Sequence, residues 1–75
     1  LTPLLTWQAV SQTERYRVQL ARDAAFTDLV ADALAPLPVY IAPLLQPDRE
    51  YHWRVRSENL CGIGPWRSAS FRTGT

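Results

Sequence analysis

The chain has 75 residues, enough for one small domain only, because a chain of this length buries about 60% of its unfolded surface on folding. Hydrophobic residues make up 47% of the sequence and charged residues 20%, which is typical of a folded domain and not of a disordered tail. The net charge of +1 gives little field to attract nucleic acid, and no run approaches the roughly 18 to 20 apolar residues of a membrane span.

The two ends and the residue usage indicate a fragment of a bacterial protein. Leu1, Thr2 and Pro3 provide neither a basic start nor a small-residue cleavage site, so we expect no signal peptide and a single domain, residues 1–75, cut from a larger chain. All eight basic residues are Arg and Met is absent, from which we expect a GC-rich bacterial gene. The lone cysteine, Cys61, excludes an internal disulfide.

Alternating apolar and polar residues, bounded by Pro, Gly, Asn and Asp, predict half-buried strands along most of the chain. The first strand places Leu5 and Trp7 on one face and ends before a turn at residues 11–14. The second strand covers residues 15–21, and its inward positions alternate with Arg15, Arg17, Gln19 and Ala21. These inward positions are Tyr16, Val18 and Leu20.

The middle of the chain allows two interpretations. Residues 22–26 have the acidic and small residues of a turn, and residues 29–31 then predict a short strand. Residues 23–34 are also compatible with a helix, because their larger apolar residues fall near helical spacing and Ala is abundant. Pro36 and Pro38 end either structure, and a strand over about residues 39–42 stops at Pro43.

The clearest predicted strand begins at Tyr51, where apolar residues alternate strictly with His52, Arg54, Arg56 and Glu58. We expect this strand to be central. The segment 59–65 contains two glycines and a proline and leads to a final strand over about residues 68–73, which predicts a hairpin with a long loop. Six or seven short strands predict a sandwich or barrel.

The segment Leu45-Gln46-Pro47-Asp48-Arg49-Glu50-Tyr51 has the Leu-x-Pro-x-x-x-Tyr spacing of a tyrosine corner and resembles that of fibronectin type III domains. In such a corner the tyrosine ring is buried and its hydroxyl returns to a backbone group a few residues upstream. Leu45, Pro47 and Tyr51 are therefore expected to have this structural role.

Other parts of the chain resemble the same family in the same order. Trp7 resembles the core tryptophan of strand B, residues 16–19 resemble the start of strand C, and residues 51–56 and 66–73 resemble strands F and G of bacterial members. The resemblance implies an immunoglobulin-like antiparallel β-sandwich of fibronectin type III topology. The chain differs from the family at its N-terminal end, where strand A is missing or truncated to residues 1–3. The sheet carrying strand B is therefore expected to have an exposed edge. The domain is also expected to have little stability in reserve.

The sequence predicts no catalytic, cofactor or metal site, and we expect the chain not to be an enzyme. His52 lies between two inward positions and is therefore expected on the outer face, up to ~30 Å from Cys61 along an extended chain. The acidic residues Asp23, Asp28 and Asp32 are too widely spaced for a calcium loop. The two loop glycines precede a strand instead of the helix that a phosphate-binding loop requires.

The candidate binding residues share the outward face of the predicted C and F strands, with one aromatic residue at the start of strand G. They are Arg15, Arg17, Arg54, Arg56 and Trp66. The Trp66 ring is expected to lie between guanidinium groups, where cation–π contacts favour it. Two interpretations stay open, namely a purely structural stack and a ligand surface for an acidic protein patch or an anionic glycan.

The resemblance implies a non-catalytic extracellular accessory module, a spacer or docking domain of a larger secreted or surface bacterial protein such as a peptidase or glycoside hydrolase. The alternative is an adhesin-like binding module that holds a polysaccharide or protein through the Arg/Trp face or the loop at residues 59–65. Neighbouring domains of the parent chain are expected partners, and no cofactor is expected. For Cys61, a disulfide to a cysteine beyond residue 75 and a free thiol both stay open.

Overall fold

The computed structural model describes residues 4–10, 13–59 and 62–74, and within these ranges the chain is all-β, with seven strands and no helix. The strands are β1 (Leu4–Thr6), β2 (Arg15–Ala21), β3 (Leu29–Ala35), β4 (Val39–Ile41), β5 (Glu50–Asn59), β6 (Gly62–Ile63) and β7 (Arg67–Arg72). The strand A remnant expected at residues 1–3, the turn residues 11 and 12, and Cys61 lie outside the described ranges.

The strands form two antiparallel sheets. β1 and β4 make a two-stranded sheet, and the larger sheet has the order β3-β2-β5 with both β6 and β7 paired to the far edge of β5. The central position expected for β5 is therefore confirmed. The register places Val18 opposite Val55 and Tyr51 opposite Phe71, so the apolar residues of neighbouring strands lie on the same face.

The two sheets pack face to face over one side of the larger sheet, in a sandwich-like arrangement. The alternation predicted for β2 is confirmed on this side, because Tyr16, Val18 and Leu20 are all buried. Leu20 packs in a cluster with Ala42. Tyr16 and Val18 pack in a second cluster against Trp7, which follows β1, and Tyr40, which lies on β4 of the smaller sheet. Burying the apolar faces of both sheets is the main stabilising contribution.

The tyrosine corner has the expected geometry. Tyr51 is 3% exposed, and its hydroxyl oxygen accepts a hydrogen bond of 3.1 Å from the backbone N–H of Gln46. The Thr73 hydroxyl donates to the Gln46 carbonyl at 2.8 Å, so the end of the chain joins the same corner. Leu45 is buried beside Tyr51, which fixes the segment before β5 against the core.

The helical alternative for residues 23–34 is wrong. Residues 29–35 form strand β3, which pairs along β2 from Leu29 opposite Ala21 to Ala35 opposite Tyr16. The small residues Ala31, Ala33 and Ala35 lie opposite the inward residues of β2, whereas Leu34 is 53% exposed. Of the residues that gave the apparent helical spacing, Leu29 and Leu34 face solvent, whereas Val30 packs against the core cluster of Leu20.

The hairpin expected between the strand at Tyr51 and the final strand is confirmed, because β5 pairs with β7, but part of the loop expected at residues 59–65 forms a strand. β5 extends to Asn59, and β6 pairs back onto it with Asn59 opposite Gly62. The backbone N–H of Gly64 then donates to the Ser57 carbonyl at 2.8 Å, which continues the pairing toward β7. Gly62 has a φ of +139°, a conformation that residues with a side chain rarely adopt.

Candidate functional site: the arginine and aromatic face

The outer face of the larger sheet carries the predicted arginines on adjacent strands. In the register of β2 and β5, Arg15 lies opposite Glu58, Arg17 opposite Arg56, and Gln19 opposite Arg54. Two guanidinium groups directly opposite each other are unfavourable unless carboxylates lie between or beside them. The structure supplies these carboxylates from β3 and β5.

Asp32 and Glu58 neutralise three of the four guanidinium groups on this face. Asp32 binds Arg17 through two hydrogen bonds, of 3.0 Å to Nε and 2.8 Å to a terminal nitrogen. The Arg17 hydrogen bond holds the pKa of Asp32 below its ordinary value of 3.8. Glu58 accepts from Nε of Arg15 at 3.0 Å and from Nε of Arg56 at 3.3 Å, and the Arg15 hydrogen bond lowers the pKa of this carboxyl as well.

Aromatic rings cover the remaining part of the face. The Arg54 guanidinium lies 4.4 Å from the centroid of the Phe26 ring and 4.2 Å from that of the Trp66 ring, and the Arg56 guanidinium lies 4.5 Å from the Trp66 ring. Gln19 orients Arg54, because its side-chain carbonyl accepts a hydrogen bond of 2.8 Å from Arg54 Nε. We call Phe26, Arg54, Trp66 and Arg56 the cation–π ladder.

The structure brings together all five residues predicted for this face. Sequence reasoning missed Phe26 and Asp32 as members, since their positions depend on how β3 and its preceding turn return beside β2. Gln19 was predicted on the outward side of β2, but its contact with Arg54 depends on the register of β2 and β5. Glu58 could have been found, because it continues the alternation of Arg54 and Arg56 along one strand. Phe26 has a φ of 59° in the turn before β3, and it reaches Arg54 from there.

The ladder leaves polar groups for a ligand. The terminal nitrogens of Arg54 and Arg56 have no hydrogen-bond partner among the described residues, and both side chains are half-buried. A guanidinium edge of this kind binds carboxylate or sulfate oxygens in its own plane, while its face stays stacked on an aromatic ring. The site is therefore suited chemically to an anionic group.

The remaining titratable residues considered in the sequence are committed to local contacts. His52 lies half-buried on the outer side of β5, with Nε2 3.7 Å from a Glu50 carboxylate oxygen. Asp23 accepts hydrogen bonds from the backbone N–H groups of Thr27 and Asp28 and from the Thr27 hydroxyl, and the hydroxyl contact lowers its pKa. Asp28 pairs with Arg22 at 3.1 Å.

A second feature, which the sequence did not predict, is an open groove of about 220 Å³ between the sheets. Its lining includes Trp7 and Val10, which follow β1, Trp53 and Val55 on β5, and Ala69 on β7. The exposed side chain of Arg67 also lines this groove, and it makes no ion pair with the described residues.

Among the described residues, no group of three or more His, Cys, Asp or Glu side chains is arranged to hold a metal ion. In the same part of the chain, no helix is long and apolar enough to cross a membrane. A scan of the chain against protein-family models finds no match, and a search of curated proteins finds no similar sequence.

Proposed function

We propose that this chain is a non-catalytic spacer or docking module of a larger extracellular bacterial protein, with a fibronectin type III topology. The resemblance of Trp7, the tyrosine corner and the last two strands supports the family. The pairing of β2 with β5 supports it too, since the residues resembling strands C and F are neighbours as that topology requires. The sandwich-like fold by itself is common to many functions.

The observation that carries the spacer role is the way side chains link the strands of the larger sheet across its outer face. Asp32 on β3 binds Arg17 on β2, and Glu58 on β5 binds Arg15 on β2. Trp66, just before β7, contacts two arginines of β5. Each of these contacts contributes little by itself, but together they favour a single sheet geometry, which a spacer needs to hold its neighbours at a constant distance.

The spacer role is tested in the parent protein by replacing residues 1–75 with a flexible Gly/Ser linker of equal length. We expect turnover of a soluble substrate to stay unchanged and turnover of an insoluble or surface-bound substrate to fall severalfold, because the linker no longer holds the catalytic part at a defined distance. A rigid unrelated β-sandwich inserted at the same place serves as the control and should restore activity. Equal activity of the linker variant on both substrates contradicts the proposal.

A second candidate function is supported by the unpartnered terminal nitrogens of the ladder. We propose as this alternative that Arg54 and Arg56, backed by Trp66, bind an acidic protein segment or an anionic polysaccharide. Arg and Trp are the residues most enriched among the strong contributors to protein interfaces. The half-buried guanidinium groups are already oriented by Gln19 and Glu58, so binding orders few additional side chains.

This alternative is tested by titrating the folded chain with polyglutamate and with polygalacturonate. If it is right, Arg54→Ala and Trp66→Ala each weaken binding about tenfold, while Arg72→Ala has a small effect although it removes the same charge. Arg72 is a suitable control because it is exposed on the same sheet and pairs with Asp48 away from the ladder. Equal losses in all three variants, with folding retained, indicate non-specific attraction and remove the alternative.

A further inference from the structure

We propose that the cation–π ladder binds an extended acidic peptide in which two acidic residues lie two positions apart, with no further acidic residue in phase with them. This rests on the binding role offered above as the second candidate function, and it names the ligand for that role. Three features support it: the order of charges along β5, the charge that stays uncompensated on this face, and the repeat distance of an extended chain. A polysaccharide ligand is one outcome of the test.

The outward side of β5 is basic in its middle and acidic at both ends. Every second residue of a strand lies on the same face, and these positions hold Glu50, His52, Arg54, Arg56 and Glu58. A carboxylate oxygen of Glu50 lies 3.7 Å from Nε2 of His52, and one of Glu58 lies 3.3 Å from Nε of Arg56, so the end residues share this face. Positive charge is therefore confined to two consecutive outward positions, with a carboxylate beyond each end.

The two arginines of the ladder keep most of their charge uncompensated. Arg54 has no carboxylate partner among the described residues, and its Nε donates to the neutral side chain of Gln19 at 2.8 Å. Arg56 shares the Glu58 carboxylate with Arg15, through contacts of 3.3 and 3.0 Å respectively. The four arginines of β2 and β5 thus meet two carboxylates, so two positive charges remain. A ligand that balances the site brings two negative charges.

Both of these guanidinium groups lie beside one aromatic ring. Their central carbons are 4.2 Å (Arg54) and 4.5 Å (Arg56) from the centroid of the Trp66 ring. A stacked guanidinium binds a carboxylate through its edge, in its own plane, so the ring contact and the ligand contact are compatible. Gln19 and Glu58 also hold the two side chains, so the positions that receive the ligand are fixed relative to one another before it binds.

The spacing of the two arginines matches that of an extended peptide. Alternate residues of a strand are about 6.6 Å apart and point to the same side. Arg54 and Arg56 occupy alternate positions of β5, so acidic residues at positions i and i+2 of a peptide aligned with β5 have the same repeat. The repeat of a polysaccharide is set by its sugar rings and linkages instead. An acidic peptide is therefore the ligand that the strand geometry favours.

The carboxylates at the two ends of β5 limit the length of the acidic segment. The Glu50 side chain is 61% exposed and occupies the outward position next to His52. Glu58 is nearly buried and already accepts hydrogen bonds from two arginines. A third or fourth acidic residue in phase faces one of these carboxylates, and like charges opposite each other are destabilising. The face therefore selects a pair of acidic residues over a long polyanion.

Two peptides of identical composition, each capped at both ends, test the spacing. Thr-Thr-Glu-Thr-Glu-Thr-Thr has both Glu side chains on one face, and Thr-Thr-Glu-Glu-Thr-Thr-Thr puts them on opposite faces. We expect the in-phase peptide to bind residues 1–75 about threefold more tightly, the effect of one exposed ion pair, with NMR chemical-shift changes at the side chains of Arg54, Arg56 and Trp66. No binding of the in-phase peptide, or equal binding of both, overturns the proposal.

A peptide with four in-phase acidic residues tests the acidic boundary. Glu50→Gln should raise the affinity of Glu-Thr-Glu-Thr-Glu-Thr-Glu about twofold and leave that of the in-phase two-Glu peptide unchanged. Glu14→Gln is the matched control, because it removes the same charge from an exposed side chain outside β5. An equal gain in both variants, or no gain in Glu50→Gln, overturns the proposal.

The two polymers introduced for the second candidate function separate this inference from that role. If Arg54→Ala and Trp66→Ala weaken polyglutamate binding while the two peptide spacings bind equally, the binding role stands and the inference falls. If only polygalacturonate binds through the ladder, the ligand is a polysaccharide, which also overturns the inference. If neither the polymers nor the peptides depend on the ladder, both the role and the inference fall.

Discussion

The two ends of the sandwich differ in how completely they are closed. At the Tyr51 end, the ring of Phe71 stacks at 6.0 Å on that of Tyr51, and Leu20, Ala42 and Leu45 are each at most 4% exposed. At the Trp7 end, the Trp7 ring packs edge-on against Tyr16 at 5.4 Å and tilted against Trp53 at 6.0 Å, but the groove opens beside these rings.

At both ends a tyrosine hydroxyl accepts a backbone hydrogen bond, from Gln46 to Tyr51 and from Val10 to Tyr16, but the two ends differ in one buried side-chain donor. Gln46 has both its N–H and its carbonyl satisfied by Tyr51 and Thr73 at the closed end. At the open end, the indole Nε1 of Trp7 is buried with no hydrogen-bond partner among the described residues. A buried donor without a partner costs about 1 to 3 kcal/mol.

The largest expected effect comes from deleting a buried side chain at the closed end. Leu20→Ala should lower the free energy of unfolding by about 2 to 5 kcal/mol, because Leu20 has no exposed surface and its neighbours cannot collapse into the cavity. Urea unfolding of both proteins gives the difference. Leu44→Ala is the control, since Leu44 is 79% exposed and should change the value by less than about 0.5 kcal/mol. If both substitutions lower the free energy of unfolding equally, the Tyr51 end is not the closed end of the sandwich.

Replacing an alanine with leucine at each end of the sandwich compares the free space at the two ends most directly. Ala42→Leu at the closed end should destabilise the protein by about 1 to 3 kcal/mol, because the added carbons have no free space. Ala69→Leu faces the groove and should be neutral or stabilising, as it adds apolar contact with Trp7 and Trp53. Thermal unfolding measures both variants. A larger loss from Ala69→Leu than from Ala42→Leu means that the groove is not open in solution.

Removing one hydroxyl tests the corner that closes the Tyr51 end. Tyr51→Phe keeps the ring but leaves the Gln46 N–H without its acceptor, and we expect a loss of about 1 to 2 kcal/mol in urea unfolding. Tyr40→Phe is the matched control, because Tyr40 is only half-buried and packs against the other core cluster. If both substitutions lower the free energy of unfolding equally, the hydroxyl of Tyr51 does not stabilise the corner.

The smallest expected effect is the pH dependence of the outer face. Arg15 and Arg17 lower the folded-state pKa of Glu58 and Asp32 below their ordinary values of 4.5 and 3.8. Their stabilising contribution is therefore complete above those ordinary values and is lost as the pH falls through the lower folded-state pKa. Unfolding measured from pH 6 down to pH 2 should show this loss.

A neutral substitution identifies the carboxyl group responsible. Glu58→Gln should flatten part of the acid-induced loss of stability, because the variant has no proton to bind at that position. Glu14→Gln is the control, since the exposed Glu14 side chain makes no ion pair among the described residues. An unchanged pH profile for Glu58→Gln shows that this carboxylate does not contribute.

Local patterns were sufficient for the strands that carry most of the core. The alternation in β2 and β5 identified Tyr16, Val18 and Tyr51 as inward residues, and the spacing of Leu45 and Tyr51 identified the corner. Alternation also placed Arg15, Arg17, Arg54 and Arg56 on the outer face of the larger sheet. These successes have one cause: in a strand, the side on which a residue lies depends only on its parity along the chain.

Contacts between distant segments could not be obtained in this way. Phe26 reaches Arg54 only because the turn before β3 takes a positive φ, and Asp32 reaches Arg17 only in one register of β2 and β3. The groove forms where the segment that follows β1 lies beside β5 and β7, and this placement depends on the packing of the two sheets. Parity along a strand determines the face on which a side chain lies, whereas its neighbours across that face depend on register and sheet packing, which are set by the free energy of the whole fold.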